Sequence, residues 1–208
     1  MDDAAALIRA NIPLVPVPLI AEIRLHMATT ADALAWAPRD PAPYWAYVWA
    51  GGAAVARHVL NHPETVRGLR VLDLGAGSGI VGIAAALSGA AEVRAAEIDP
   101  LGRAAIALNA SANSVTIVTI ADDLLAGPAP EADVVLAGDM LYDRDLAQRV
   151  IPYLFRCREA GISVLIGDPG RGLLPPAKRL RELGSYGQGS VDDDRDGPTT
   201  PAAVYAIE

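Results

Sequence analysis

One cysteine and one phenylalanine stand in 208 residues. The lone thiol, Cys157, excludes an intrachain disulfide and a thiolate metal cage. The three histidines, His26, His58 and His62, show no ligand spacing with acids, so no metal site is expected and they read as surface or packing residues. Basic residues are also scarce: 17 Lys and Arg face 25 Asp and Glu, a net charge of −8. That balance argues against DNA or RNA, whose phosphates demand a basic footprint. It suits a protein partner that presents lysines. No apolar run reaches membrane-spanning length, and the acidic start MDDAAA is neither a signal nor a transit peptide, so a cytoplasmic protein is expected. What is abundant is apolar: 52% of residues against 20% charged, in a chain long enough for one full core.

The stretch around which the rest is organised is Arg70–Gly82, RVLDLGAGSGIVG. Val71, Leu72 and Leu74 make a short buried strand interrupted by Asp73. Gly75, Gly77 and Gly79 follow at alternate positions, and a helical repeat then starts with Ile80, Ile83, Ala84 and Leu87. Strand, glycine turn and helix let a ligand lie against bare backbone at a helix N-terminus. Gly77, Gly79 and Gly82 satisfy the dinucleotide spacing G-x-G-x-x-G, but Gly75 precedes that match and an acid sits inside the strand. A carboxylate there repels a pyrophosphate and accepts from a cationic amine. The turn therefore favours S-adenosylmethionine, an ammonium and a sulfonium without phosphate, over NAD. Trailing it by about twenty residues, where parallel α/β nucleoside sites place an acid on the ribose hydroxyls, is Glu97. Asp99 before Pro100 reads as an N-cap.

Residues 1–43 form a proline-rich arm with one helix-like stretch near Leu19–Met27, either packed on the core or acting as a lid over the site. Residues 44–208 carry the main domain. Between Trp36 and Trp49 lie Tyr44, Trp45 and Tyr47. Trp36 and Tyr47 read as a hydrophobic brace, whereas Trp45 and Trp49 precede Gly51-Gly52 and offer aromatic faces to a sulfonium or a lysine stem. A helix is expected over Gly52–Asn61.

Further on, VTIVTI at Val115–Ile120 has the composition of a strand buried on both faces, and Asp122 and Asp123 follow at its carboxyl end. Asp122 is assigned to an adenine amino group and Asp123 to a solvated loop. ADVVLA at Ala132–Ala137 is the next strand. Asp143 caps the helix behind it, which leaves Asp139 and Tyr142 projecting from the intervening loop as catalytic candidates. ISVLIG at Ile162–Gly167 ends in Asp168-Pro169-Gly170-Arg171, where Asp168 either supplies a second carboxylate to the site or holds Arg171. A helix over Ala177–Leu183, an acidic loop at Asp192–Asp196 and a closing strand at Ala202–Ile207 complete the pattern. Strands alternating with helices predict a mostly parallel α/β sheet.

The D-x-G-x-G-x-G turn and its following acid resemble the class I S-adenosylmethionine-dependent methyltransferases. That resemblance implies a Rossmann-like, seven-stranded, mostly parallel sheet with helices on both faces and its last strand antiparallel, here with an N-terminal extension. PYWAYVWAGG at Pro43–Gly52, GDMLYD at Gly138–Asp143, LIGDPGR at Leu165–Arg171 and VPLIAEIRLH at Val17–His26 are similar to the electron transfer flavoprotein beta-subunit lysine methyltransferases. This implies protein-lysine N-methylation of that subunit by a monomer or weak oligomer. Asp139 and Tyr142 would be catalytic. Trp49, Asp73, Gly75, Gly77, Gly79, Glu97 and Asp122 would bind the methyl donor, and Trp45 and Asp168 the substrate. A small-molecule N-methyltransferase, a methyltransferase for another protein such as a ribosomal protein, and a binding module without transferase activity are the other readings.

Overall fold

The structure is a computed structural model and describes residues 2–29, 34, 36–37, 42–187 and 201–208. The acidic loop at Asp192–Asp196 lies outside the described residues. Seven strands form the main sheet: β3 (Arg70–Leu74), β4 (Glu92–Ala96), β5 (Val118–Ile120), β6 (Val134–Gly138), β7 (Ser163–Asp168), β8 (Leu180–Gly187) and β9 (Pro201–Ile207). Their order is β5-β4-β3-β6-β7-β9-β8, with β5 to β7 parallel and β9 antiparallel to both β7 and β8. This is the expected class I methyltransferase sheet.

Period-two alternation decides which face each strand residue serves. Val71, Val134, Leu136, Leu165 and Val204 pack with α2 (Ala50–Asn61) and α3 (Ile80–Leu87). Leu72, Leu74, Val135, Ala137, Val164 and Ile166 pack with α5 (Arg144–Glu159). Both faces are thus covered, as the near-continuous apolar strands require. Two helices begin where their sequences predict. Asp99 Oδ1 accepts from Leu101 N at 2.8 Å, with Pro100 opening α4 (Pro100–Ala112). Asp143 Oδ1 accepts from Asp145 N and Leu146 N at 2.9 Å, opening α5.

The N-terminal segment differs from expectation. Its helix is α1 (Asp2–Asn11), and Leu19–Met27 is not helical. It holds β2 (Ile20–His26), paired antiparallel with β1 (Leu14–Val17) across a turn that places Leu19 at φ 62°. Pro16 is tolerated because β1 pairs on one edge alone. The hairpin buries Val17, Ile20, Ile23 and Leu25 in the α2/α3 face, so this part of the arm is core. Two other elements also depart from the pattern. Ala177–Leu183 is a single 3-10 turn leading into β8, because pairing with β9 overrides the helical propensity of RLREL. VTIVTI becomes the three-residue edge strand β5, and Val118 is 52% exposed instead of buried on both faces.

Candidate active site

At the carboxyl ends of β3, β4 and β6 lies a cavity of ≈ 790 Å³, within the size range of small-molecule sites. Its wall runs from Gly75 and Gly77 past Glu97 and Asp122 to Asp139, Tyr142 and Arg171, with Tyr44, Trp45 and Trp49 on the arm side.

The glycine turn is built as its sequence requires. Gly75 and Gly77 have φ of 66° and 53°, and a side chain on Gly75 would run into the Met140 thioether. Gly79 does not line the cavity. It is the left-handed N-cap of α3, packed against Ile106, so its part is to set the turn and not to touch a ligand. Glu97 does face the cavity. Its Oε2 accepts from Gly77 N and its Oε1 from Asp99 N, both at 2.8 Å, which fixes the carboxylate and leaves each oxygen a lone pair for a ligand hydroxyl. Burial is the main cause raising its pKa.

Asp73 is placed otherwise than its sequence position suggests. Alternation along β3 turns it to the side of Val71, beneath α3, where it is 1% exposed and its Oδ2 accepts from Gly82 N at 2.8 Å. It does not line the cavity, so it organises the helix N-terminus behind the turn instead of meeting a cationic amine directly. Burial, countered by the Gly82 amide and reinforced by the Glu97 charge, pushes its pKa up to about 7.

Asp122 and Asp123 both reach the cavity wall but differ in their partners. Asp123 caps a 3-10 turn through Leu125 N at 3.0 Å and pairs with Arg149, so it is committed and not merely solvated. Asp122 is exposed at the cavity wall.

Among the aromatics, Trp45 is 2% exposed and packs with Ile8, Ile12, Ala105 and Leu108. It braces the N-terminal segment on α4 while one side borders the cavity. Its Nε1 is buried without a hydrogen-bond partner among the described residues. Trp49 is the N-cap of α2, and its Nε1 donates to Tyr44 O at 2.9 Å. Tyr44 and Tyr142, each about half exposed, set their rings 5.6 Å apart at the cavity rim. In the sequence, Tyr44 is marked by nothing beyond its place in the PYW run. Burial raises the Tyr142 pKa.

Asp139 is the deepest acid of the wall, 6% exposed and at φ 59°. What brings it there is a seam of glycines. Gly138 and Gly167 fall on the α2 face of β6 and β7, and their missing side chains let Gly51 and Gly52 approach in direct backbone contact. Asp139 N donates to Gly167 O at 2.9 Å, and its Oδ2 accepts from Gly51 N, in the first turn of α2, at 2.9 Å. Its Oδ1 accepts from Arg171 Nε at 2.9 Å.

Asp168 is not a second cavity acid. It is 2% exposed on the other side of β7, and its Oδ1 accepts from Gly170 N at 2.7 Å and Arg171 N at 3.1 Å. It therefore shapes the turn that presents Arg171, and burial raises its pKa. Arg171 lines the cavity and was missed as a site residue, since nothing local shows that its guanidinium crosses to β6.

Among the described residues, the wall carries five carboxylates (Glu97, Asp99, Asp122, Asp123 and Asp139) against two guanidiniums, Arg149 and Arg171. Both guanidiniums are already paired with wall acids. Such a surplus fits a cationic nucleoside ligand and opposes a pyrophosphate. No group of three or more metal-ligating side chains occurs among the described residues.

The chain is 36% identical over 202 residues to the electron transfer flavoprotein beta subunit lysine methyltransferase of Xenopus laevis, covering 92% of this chain and 81% of that one. It belongs to that lysine methyltransferase family. The family's rat member is 41% identical over 159 residues, and there the match covers 74% of this chain and 62% of the relative. The family model for ribosomal protein L11 methyltransferase matches residues 58–142, the glycine turn through Tyr142. Among solved structures, a putative RNA methyltransferase from Pyrococcus horikoshii aligns at a TM-score of 0.55 with 16% identity, over 79% of this chain and 88% of that chain. The ribosomal protein L11 methylase of Lactobacillus delbrueckii gives 0.51 with 21% identity, over 74% and 76%. At these identities the solved structures establish the fold.

Proposed function

We propose that the chain is an S-adenosylmethionine-dependent protein-lysine N-methyltransferase acting on the beta subunit of electron transfer flavoprotein. The observation that carries this reading is the position of Asp139, a buried carboxylate at the junction of the acid-lined nucleoside cavity and its aromatic rim. Similarity over 92% of the chain, at 36% identity, to the Xenopus laevis relative bearing that name supports the substrate.

When bound, S-adenosylmethionine would supply a methyl carbon on a cationic sulfur: the amine nitrogen would bond to that carbon as the carbon–sulfur bond breaks, its electron pair leaving with sulfur as a neutral thioether. The chain's residues handle the rest. Gly75 and Gly77 give close backbone approach, and Glu97 and Asp122 accept from the nucleoside. Tyr44 and Tyr142 flank the aliphatic stem of the incoming lysine. Asp139 accepts from its amine and fixes its direction, and such orientation is a large part of the acceleration available to a displacement. The attacking amine must be neutral, which costs about 4–5 kcal/mol at pH 7 for a lysine of ordinary pKa. Once methylated, the nitrogen sheds its proton to water at the open rim.

Radiolabelled S-adenosylmethionine, incubated with the protein and either purified flavoprotein beta subunit or a cell lysate, tests the assignment. Label on lysines of the beta subunit is expected. Label confined to free amines, or to a ribosomal protein band, would contradict it.

A further inference from the structure

A lysine that reaches Asp139 meets a conflict. The nucleophile is the neutral amine, yet an uncompensated carboxylate at hydrogen-bond distance holds the ammonium form. Arg171 stands where that conflict is settled. Its Nε donates to Asp139 Oδ1 at 2.9 Å, and the pair is shielded, with side-chain exposures of 28% for the arginine and 4% for the aspartate. The turn that delivers it is specific: Asp168 ties down its backbone N–H, and Gly170 and Gly172 on either side adopt φ of 91° and 76°.

Among the described residues, the groups around Asp139 come from three elements. Arg171 and Asp168 come from the end of β7, the Gly51 amide from α2, and Tyr142 from the loop of Asp139 itself. Glu97, at the end of β4, acts on Tyr142. Arg149, on the far wall, is paired with Asp123. Among the described residues, Arg171 is thus the cation in contact with Asp139. A carboxylate offers about four acceptor positions, and the guanidinium and the Gly51 amide take two, so positions remain for an amine.

We propose that Arg171 is a positioning residue for methyl transfer. Paired with Asp139, it lets the carboxylate accept a hydrogen bond from the substrate amine while cancelling the charge that would trap that amine as ammonium. A guanidinium keeps its proton at every working pH, so the compensation is permanent. The inference rests on the lysine methyltransferase reading and adds to it the means by which the nucleophile is kept neutral.

Two measurements on the whole protein test it. The first needs no methyl transfer. Protein saturated with S-adenosylhomocysteine is titrated at pH 7 with n-butylammonium, a surrogate for the lysine side chain. Arg171→Gln should bind the cation about tenfold more tightly than wild type, the equivalent of about one pKa unit. Unchanged or weaker binding overturns the proposal. The second is the pH dependence of single-turnover methylation of the flavoprotein beta subunit. In Arg171→Gln the acid limb should move up by about one unit or more, with the rate lost at pH 7 recovered in alkali. Arg171→Lys, which keeps the charge, should retain the wild-type limb. A rate lowered equally at every pH, with the limb in place, marks a merely structural role and overturns the proposal.

Affinity for S-adenosylhomocysteine reports whether each variant is folded. Should Arg171→Gln fail that control, Arg171→Lys decides alone, since an upward-shifted limb in a variant that keeps the charge contradicts charge compensation. If wild type transfers no methyl to the beta subunit, the substrate reading falls, and the butylammonium comparison still decides the role of Arg171.

Discussion

Asp73 and Asp139 are acids at the carboxyl ends of neighbouring strands, β3 and β6, and each accepts from the amide of a helix N-terminus. Asp73 takes Gly82 N in the first turn of α3, and Asp139 takes Gly51 N in the first turn of α2. Their surroundings then diverge. Asp73 is sealed beneath its helix, whereas Asp139 faces the cavity and holds a guanidinium. What separates the sealed acid from the cavity acid is therefore the side to which it points and the cation it meets. Position at a strand end does not distinguish them.

The largest expected break in this comparison is Asp139→Ala. It should lower methylation of the beta subunit by about a hundredfold or more, the scale of losing a positioned polar group at the reacting centre, while S-adenosylhomocysteine still binds. Asp73→Asn should leave the chemical step within a few-fold; an equal loss of rate in both variants would erase the distinction.

The glycine seam beneath Asp139 gives the next effect. A side chain on Gly51 would come within 2.8 Å of Asp139 N, so Gly51→Ala should cost about 1–3 kcal/mol in chemical denaturation and impair transfer as well. One residue on, the nearest atom to a new side chain on Gly52 is Ile80 Cγ2 at 3.8 Å. Gly52→Ala should therefore be neutral or stabilising, by up to about 1 kcal/mol, and matching losses in the two variants would refute the seam.

Asp73 carries its own signature. Its pKa in the folded protein is raised to about 7 from the ordinary 3.8, so it favours the folded state most below pH 3.8 and that contribution is lost as pH rises through about 7. The melting temperature of wild type should fall across that window relative to Asp73→Asn, and parallel curves would contradict the burial argument. Smallest is the pair Glu22–Arg57, a guanidinium–carboxylate pair like Asp139–Arg171 but with its carboxylate exposed to solvent. Glu22 is 52% exposed, and the guanidinium hydrogen bond lowers its pKa to about 2 from 4.5. Its stabilisation, under about 1 kcal/mol after solvent screening, is present above pH 4.5 and lost as pH falls through about 2. Arg57→Gln measured at pH 7 and pH 2 should show that small difference vanish at the lower pH.

Local signals made much of the molecule legible in its sequence. The glycine turn, the caps at Asp99 and Asp143 and the apolar runs of β3, β6 and β7 are written in contiguous residues whose chemistry fixes their conformation. What stayed hidden depends on distant partners. β8 needs β9 to become a strand, and the β1–β2 hairpin needs the α2/α3 face to bury its irregularly spaced Ile20, Ile23 and Leu25. The same holds for the site. Asp139, Tyr142, Glu97 and Asp122 could be picked out as acids or phenols following strands. The sealing of Asp73 and Asp168 depends on which helices cover them, and the reach of Arg171 from the β7 turn to β6 is a tertiary fact.

The most direct test of the account is the intact mass of the flavoprotein beta subunit after incubation with S-adenosylmethionine and either wild type or Asp139→Asn. The account predicts one or more methyl increments, mapped to lysine, with wild type, and an unshifted mass over the same interval with the variant. A beta subunit left unshifted by wild type, or shifted equally by both proteins, would contradict it.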